Sequence, residues 1–437
     1  MKADISRDTF QAARDIRRVV AQQGRPWLDA DWNEQVSVLL HRLETLAADL
    51  FGEYAAIDTG FQIEPVKDKP GNPLARTFSA LRGRYYVHGL MCENDEGWVS
   101  PRQDDFENGQ TYLVYLHAWE EYDSGLQDPS QIEPALRGID TSGRTRVRWQ
   151  IGWDKVKDAD KKDTDKTWSD FKQRQETPAA KLKIRVKAGA TSQDPCRADG
   201  RALYRGLENA LYRVEAYKPK TGNVQLKWSR NNASSLVPVS REGKRLRCAR
   251  PAGLDASFDP RGWIEVHRGT DEDPYGGGTL HRIDSLDREA GVIDLASEPD
   301  DGKTLFARPW AGVIEPKSTW APLEQGLEIS LDAAKGELRA GQYWLIPVRT
   351  EGGGQVYWPT DRLGLFCNWI PLDDELGKAP AAGPNEPDLS SHDRLEKPGV
   401  IYRRDHFYGP LALITFDGKG ELDKKNGILD LRKPYAR

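Results

Sequence analysis

From Trp32 onward the large apolar residues fall at Trp32, Val36, Leu39, Leu43, Leu46 and Leu50, steps of four and three alternating without a slip. That spacing keeps one narrow stripe of a helix turned toward one partner. The stripe is a little under three heptads long, and an isolated helix of that length is marginal in water, so it must rest on something. Three supports are open: the protein's own body, other copies of the same helix, or a neighbouring subunit. Amphipathic helices most often bury their stripe in their own domain, and that is the first expectation.

The residues that lead into the stripe read Gln22-Gln23-Gly24-Arg25-Pro26-Trp27-Leu28-Asp29-Ala30-Asp31-Trp32-Asn33-Glu34-Gln35. Gly24 followed by Arg25-Pro26 breaks any helix running through residues 12–21, because proline biases its predecessor away from the helical region. Asp29 or Asp31 can cap the new helix, and Asp29, Asp31 and Glu34 stand favourably near its positive end. Two helices are expected to meet at a polar corner, the first entered through Ser6-Arg7-Asp8-Thr9-Phe10. Hydrogen bonds and ion pairs of Arg25, Asp29, Asp31, Asn33 and Glu34 would set that corner, with Trp27 beside them. Ordinary capping chemistry accounts for such a cluster as well as docking does.

Beyond this helical segment, residues 1–55, the period changes to two. Residues 111–119 are apolar enough to be buried on both faces, while Thr145, Val147, Trp149, Ile151 and Trp153 alternate with Arg144, Arg146, Arg148 and Gln150 as a half-buried strand does. Residues 181–187 repeat the pattern with lysines and an arginine outward. Further strands are expected at 84–90, 211–217, 224–228, 263–267, 342–347 and 411–416. Short strands bounded by Gly, Pro and Asp clusters predict a mainly β protein of sandwich or barrel-like modules, one over 56–190 and the rest over 191–437. The charged stretch 154–176 reads as a solvated loop or short exposed helix and not as a core element. Residues 271–278 read as a hairpin tip, and 371–397 as an extended loop.

Composition narrows the function classes. The 437 residues are 38% hydrophobic and 30% charged, and 63 Lys plus Arg nearly balance 68 Asp plus Glu. A net charge of −5 makes no electrostatic case for nucleic acid or an anionic membrane. No apolar run is long enough to span a bilayer, and the first residues lack the apolar core of a secretory signal, so cytoplasmic synthesis is expected. Cys92, Cys196, Cys248 and Cys367 are too scattered for a zinc or redox motif and read as buried thiols.

Catalytic patterns are not found. The sequence holds no nucleophile elbow, no zinc-protease motif, no P-loop and no dinucleotide fingerprint. Seven histidines are scattered singly, and a lone histidine on a strand is usually structural. Asp158, Asp160, Asp163 and Asp165 lack the glycine and terminal glutamate of a calcium loop and are interleaved with lysine, so no metal is expected there. Glu120-Glu121 cannot face each other from adjacent strand positions, and a solvated strand end is the expectation for them. The glycine tracts 276–278 and 352–354 have no helix behind them to cradle a phosphate and read as turns. No cofactor is expected.

The combination of motifs resembles an uncharacterised bacterial family associated with phage tails and phage-tail-like contractile injection systems. The likeness is carried by Arg7-Asp8-Thr9-Phe10, by Gln22-Gln23-Gly24-Arg25 with Leu28 to Gln35, and by Gly83-Arg84-Tyr85-Tyr86-Val87. It continues through Tyr112 to Leu116, Tyr204-Arg205-Gly206-Leu207-Glu208-Asn209, Lys227-Trp228-Ser229-Arg230-Asn231-Asn232-Ala233-Ser234, Gly341 to Pro347 and Tyr408 to Leu413. Pro26-Trp27 and the charged 154–176 segment depart from the pattern. The resemblance implies a structural component of a contractile particle, incorporated after synthesis: a baseplate-associated fibre, spike or adaptor. Its partners would be other tail or baseplate subunits, with a homotrimer as one form of assembly. A carbohydrate- or receptor-binding module at the particle tip is the alternative, with exposed tryptophans stacking on sugar and Trp119, Trp263, Trp310, Trp320 and Trp358 as its candidates. A glycoside hydrolase of the cell envelope is the third reading.

Overall fold

The alternating runs become strands. The computed structural model describes all residues except 1, 6–8, 11, 13–14, 70–71, 102–103, 126–127, 137–140, 157–162, 177–180, 187–208, 249–252, 269–277, 300–304, 333–337, 339, 352–354, 358–396, 399, 402–405, 424, 426 and 436–437. The protein is mainly β, with an N-terminal helix α1 (Asp29–Phe51) followed by sheets and a closed six-stranded barrel. Two compact units are interleaved along the chain: Met1–Gln35, Tyr122–Arg144 and Pro178–Tyr402 form the first, and Val36–Glu121, Thr145–Thr177 and Arg403–Arg437 the second.

The first unit contains the barrel and a two-sheet sandwich. Barrel strands run in the order Val237–Glu242, Arg245–Cys248, Val292–Leu295, Thr279–Asp287, Trp263–Arg268 and Leu305–Trp310, all antiparallel, around Leu246, Phe258, Ile264 and Ile293. Closure leaves no unpaired edge. One sandwich sheet is centred on Asn209–Tyr217, flanked by Gln225–Ser229 and Tyr343–Glu351. The other pairs Lys181–Val186 with Leu327–Asp332. Alternate residues of both sheets, among them Leu182, Ile184, Tyr212, Val214, Trp228, Ile329, Trp344 and Ile346, share one core.

In the second unit His406–Thr415 pairs with Thr111–Asp123, which is buried on both faces as its apolar run demands. Arg144–Lys155 lies on the other side of Thr111–Asp123. The run expected as a single strand at 84–90 is a hairpin: Gly83–Val87 turns at His88 and Gly89, both at positive φ, and returns as Leu90–Asn94. Two consecutive left-handed residues give the tight reversal whose twist matches paired strands.

Two expectations fail. The charged stretch 154–176 does enter the core, because α2 (Thr164–Glu176), capped by Asp163 Oδ1 accepting from Lys166 N, buries Trp168 and Phe171. These two lie three apart on one face, stack on each other, and Phe171 meets Tyr115 and Tyr408. Nor do residues 15–21, which with residue 12 are the described part of the stretch 12–21, form a helix. Asp15 sits at positive φ, residues 16–20 carry no regular structure, and Val19 N donates to the Gln35 side chain, which leaves no helical ladder to propagate. Residues 371–396 of the expected loop and the tip residues 271–277 lie outside the described residues, Lys397 opening a short strand, and the strands flanking that tip pair as a hairpin.

Candidate functional site

The corner before α1 is set by backbone and carboxylate together. Gly24 at φ +70° lies within a turn closed by Arg25 N donating to Gln22 O. Leu28 is the helix cap: its carbonyl accepts from Trp32 N, while its own N–H donates to Asp31 Oδ2 at 3.1 Å. Asp31 therefore caps from inside the first turn, the reciprocal half of a capping box. Glu34 Oε2 accepts from Thr9 Oγ1 at 2.5 Å and Gln35 Oε1 from Val19 N at 2.9 Å, so polar side chains on one flank of α1 hold the preceding segment. Arg25 and Trp27 stand exposed, and Asn33 is half-buried.

Among the described residues, the apolar stripe does not rest on the protein's own body. Trp32, Val36, Leu39, Leu43, Leu46 and Leu50 are all exposed, from 37% at Val36 to 65% at Leu50, and Leu40 beside them is exposed too. What faces inward is the other side of the helix. Ala30 and Val38 are buried, and Phe51 packs on Tyr86 and Tyr435 at 4.8 and 5.0 Å between ring centroids. Gly89 lets the helix lie close, since a Cβ there would stand 2.2 Å from the Glu44 carbonyl oxygen. Gly89→Ala, with φ at +86° and no room, should cost about 1–3 kcal/mol and raise amide exchange along the C-terminal half of α1. Unchanged exchange there would show that the close approach does not hold the helix.

A surface stripe of this kind is out of the ordinary. Scattered apolar residues on a protein surface need no explanation, but seven on one helix face form a continuous patch of the kind that marks an interaction site. Burying a leucine or valine of the patch would gain roughly 1.5–3 kcal/mol. Helical periodicity alone could not show this, because a stripe reads the same whether it meets its own core or a partner.

The central motif Lys227 to Ser234 proves to be a structural hub of the first unit. Lys227 Nζ lies 3.0 Å from Glu215 and 2.7 Å from Glu265, fully buried, and joins a sandwich strand to a barrel strand. Arg213 holds Glu215 at 2.7 Å and stacks 3.5 Å from the Tyr343 ring centre, and Trp310 Nε1 donates to Glu265 at 2.8 Å. Asn232 and Ala233 turn at positive φ, where Asn232 Nδ2 donates to Ala3 O and Arg308 to Ala233 O. Lys2 reaches Glu215 at 3.5 Å and Ile5 packs against Leu211, Tyr343 and Leu345, so residues 2–5 are built into this unit.

Charge balance explains how the hub tolerates burial. Burial alone would raise the Glu215 carboxyl, but Lys2, Lys227 and Arg213 hold it below the ordinary range. For Glu265, burial is likewise overcome, by Lys227 and His267, and the group is held well below its usual value. Burial would lower Lys227, yet Glu215 and Glu265 keep it above its ordinary value. Both carboxylates clamp one lysine away from solvent. Glu121, expected at a solvated strand end, is buried and paired with Arg148 at 2.5 Å.

In the second unit His117 is buried, and its Nε2 lies 3.0 Å from His406 Nδ1 and its Nδ1 3.2 Å from Gln150 Nε2. The amide of Gln150 can only donate through nitrogen, so His117 carries its proton on Nε2 and donates to His406. Burial, with the His406 charge second, pushes His117 down to about 2. Trp119 and Trp310 are buried, which leaves them no face for a sugar ring; Trp263 and Trp320 are partly exposed and Trp358 lies outside the described residues. Among the described residues the exposed tryptophans are Trp27 and Trp32, both at the start of the seam. No group of three or more metal-ligating side chains occurs among the described residues, and Cys92 and Cys248 are buried free thiols. Among the same residues, no helix is long and apolar enough to cross a membrane.

The profile of a family of unknown function, DUF6519, matches residues 1–180. The match covers the corner, the seam helix and α2, and stops before the central hub. Comparison with curated proteins and with solved structures gives no match.

Proposed function

We propose that the protein is a structural component of a phage-tail-like contractile particle, at or near its baseplate, held in the assembly through the seam of α1. The observation that carries this reading is the exposure of all six heptad residues on a helix whose opposite side is packed. The motif resemblance of residues 7–35 supplies the setting, and the buried carboxylates that clamp Lys227 accord with a structural role.

Deleting residues 1–55 would be a poor test, since it also strips Lys2 from Glu215 and α1 from Gly89. Charged substitutions on the exposed stripe avoid that confusion. Leu43→Glu with Leu46→Glu should leave the stability of the chain within about 0.5 kcal/mol, because both positions are solvated. Particles purified from cells that make this double variant in place of the native chain should lack it. Normal incorporation would remove the docking role.

A further inference from the structure

The docking reading leaves open what covers the seam. We infer that its partner is the same helix in other copies of this chain, aligned parallel and in register. This rests on the docking reading but goes further, since it names the occupant.

Heptad positions decide the point. Val36, Leu43 and Leu50 fall at a, and Trp32, Leu39 and Leu46 at d. Position b holds Ala30, Ser37, Glu44 and Phe51 and position c holds Asp31, Val38 and Thr45; among these, Ala30, Val38, Glu44 and Phe51 face the protein's own body. Body and seam therefore take opposite sides of one helix, and a partner helix can lie along a and d, with the preceding segment held at Gln35 on the g flank. Flanking residues are Gln35, Arg42 and Asp49 at g and Asn33, Leu40 and Ala47 at e.

In a parallel in-register arrangement each g residue meets the e residue of the next heptad on its neighbour. Gln35 then faces Leu40 and Arg42 faces Ala47, so no like charges meet, and the Arg42 stem can cover the alanine. The exposed Leu40 and half-buried Ala47 widen the apolar stripe beyond a and d, as bundle-forming helices require. An antiparallel arrangement that keeps all six layers sets g against g and brings Arg42 against its own copy, which is unfavourable. The flanks carry no pattern of charge that would select a foreign acidic or basic helix. Self-association is the arrangement these residues satisfy.

The full chain should sediment as a whole multiple, two or more, of 49.2 kDa, and the Leu43→Glu, Leu46→Glu double variant as a monomer with an unchanged circular dichroism spectrum. Leu50→Cys should form a covalent dimer on mild oxidation that the parent chain does not. Antiparallel helices would hold the two Leu50 positions about 27 Å apart along the axis and could not. A wild-type monomer throughout a dilution series, an oligomer unaffected by the double variant, or an oligomer in which Leu50→Cys fails to cross-link would each overturn the inference. Should the chain be monomeric while the double variant is excluded from particles, self-association fails and the docking role stands. Should the double variant dissociate the oligomer yet enter particles normally, the docking role fails and self-association stands.

Discussion

Lys227→Met should destabilise the first unit by about 3–5 kcal/mol, the cost of removing the cation that two buried carboxylates share. Lys227 is fully buried between Glu215 and Glu265 at 3.0 and 2.7 Å, and the methionine that replaces it fills the space but supplies no charge. Glu215 keeps Arg213 and Lys2, so the charge left most exposed to the loss is that of Glu265, and removing it as well should restore part of the stability. The double variant Lys227→Met, Glu265→Gln is expected to unfold in urea at a midpoint between the single variant and wild type. A single variant as stable as wild type would mean that the hub is a consequence of folding and contributes little to it.

Acid should act on the two units at different pH. His117 is held at about 2 when folded, far below the ordinary value of 6.5, so in the unfolded chain it binds a proton that the folded chain refuses. Its contribution is fully present above about pH 6.5 and is lost as pH falls toward 2, at about 1.4 kcal/mol per pH unit. Lowering the pH from 6.5 to 5 should therefore remove about 2 kcal/mol from the second unit. Glu215 and Glu265 are also depressed, but from a carboxylate reference, so the first unit loses their contribution only below about pH 4.5. Lys227, raised above 10.5, gives stability that is present below that value and fades as pH rises through its folded value.

Amide exchange along Thr111–Asp123 and His406–Thr415 should accordingly quicken between pH 7 and 5, after correction for the intrinsic rate, while the barrel strands stay protected. His117→Gln keeps a hydrogen-bonding side chain without a titrating ring and should flatten that dependence. Equal protection at both pH values in the wild type would show that the histidine pair does not couple to folding.

Much of the architecture is legible in the order of the residues alone. Strands such as Arg144–Lys155 and Lys181–Val186 announce themselves by alternation of apolar with charged or polar residues, a period of two that is written into the chain even though Thr145 and Val147 of the first stand exposed. Where that contrast is blurred, reading fails. Trp168 and Phe171 are two aromatic residues within a run of Lys and Asp, and composition outweighs them until α2 is seen to lay that one face on the core. The turn at His88 and Gly89 hides inside an otherwise apolar run for a similar reason: its signal is backbone conformation, and a single glycine carries it.

The candidate site divides in the same way. Alternating steps of four and three determined that residues 32–50 form a helix with one apolar stripe, because side chains at those intervals must share a face whatever surrounds them. Sequence could not determine which way the stripe points, since a helix buried in its own domain carries the same stripe. The choice fell to the fold: Gly89 and Tyr86 meet the opposite side of α1 and leave the seam to water. Only the fold, likewise, could bring Lys2, Arg213, Glu215, Lys227 and Glu265 into one buried cluster, for each of them reads as a polar residue that belongs in solvent. Local spacing specifies the elements and their faces; which faces meet depends on long-range packing and charge balance that no stretch of the chain contains by itself.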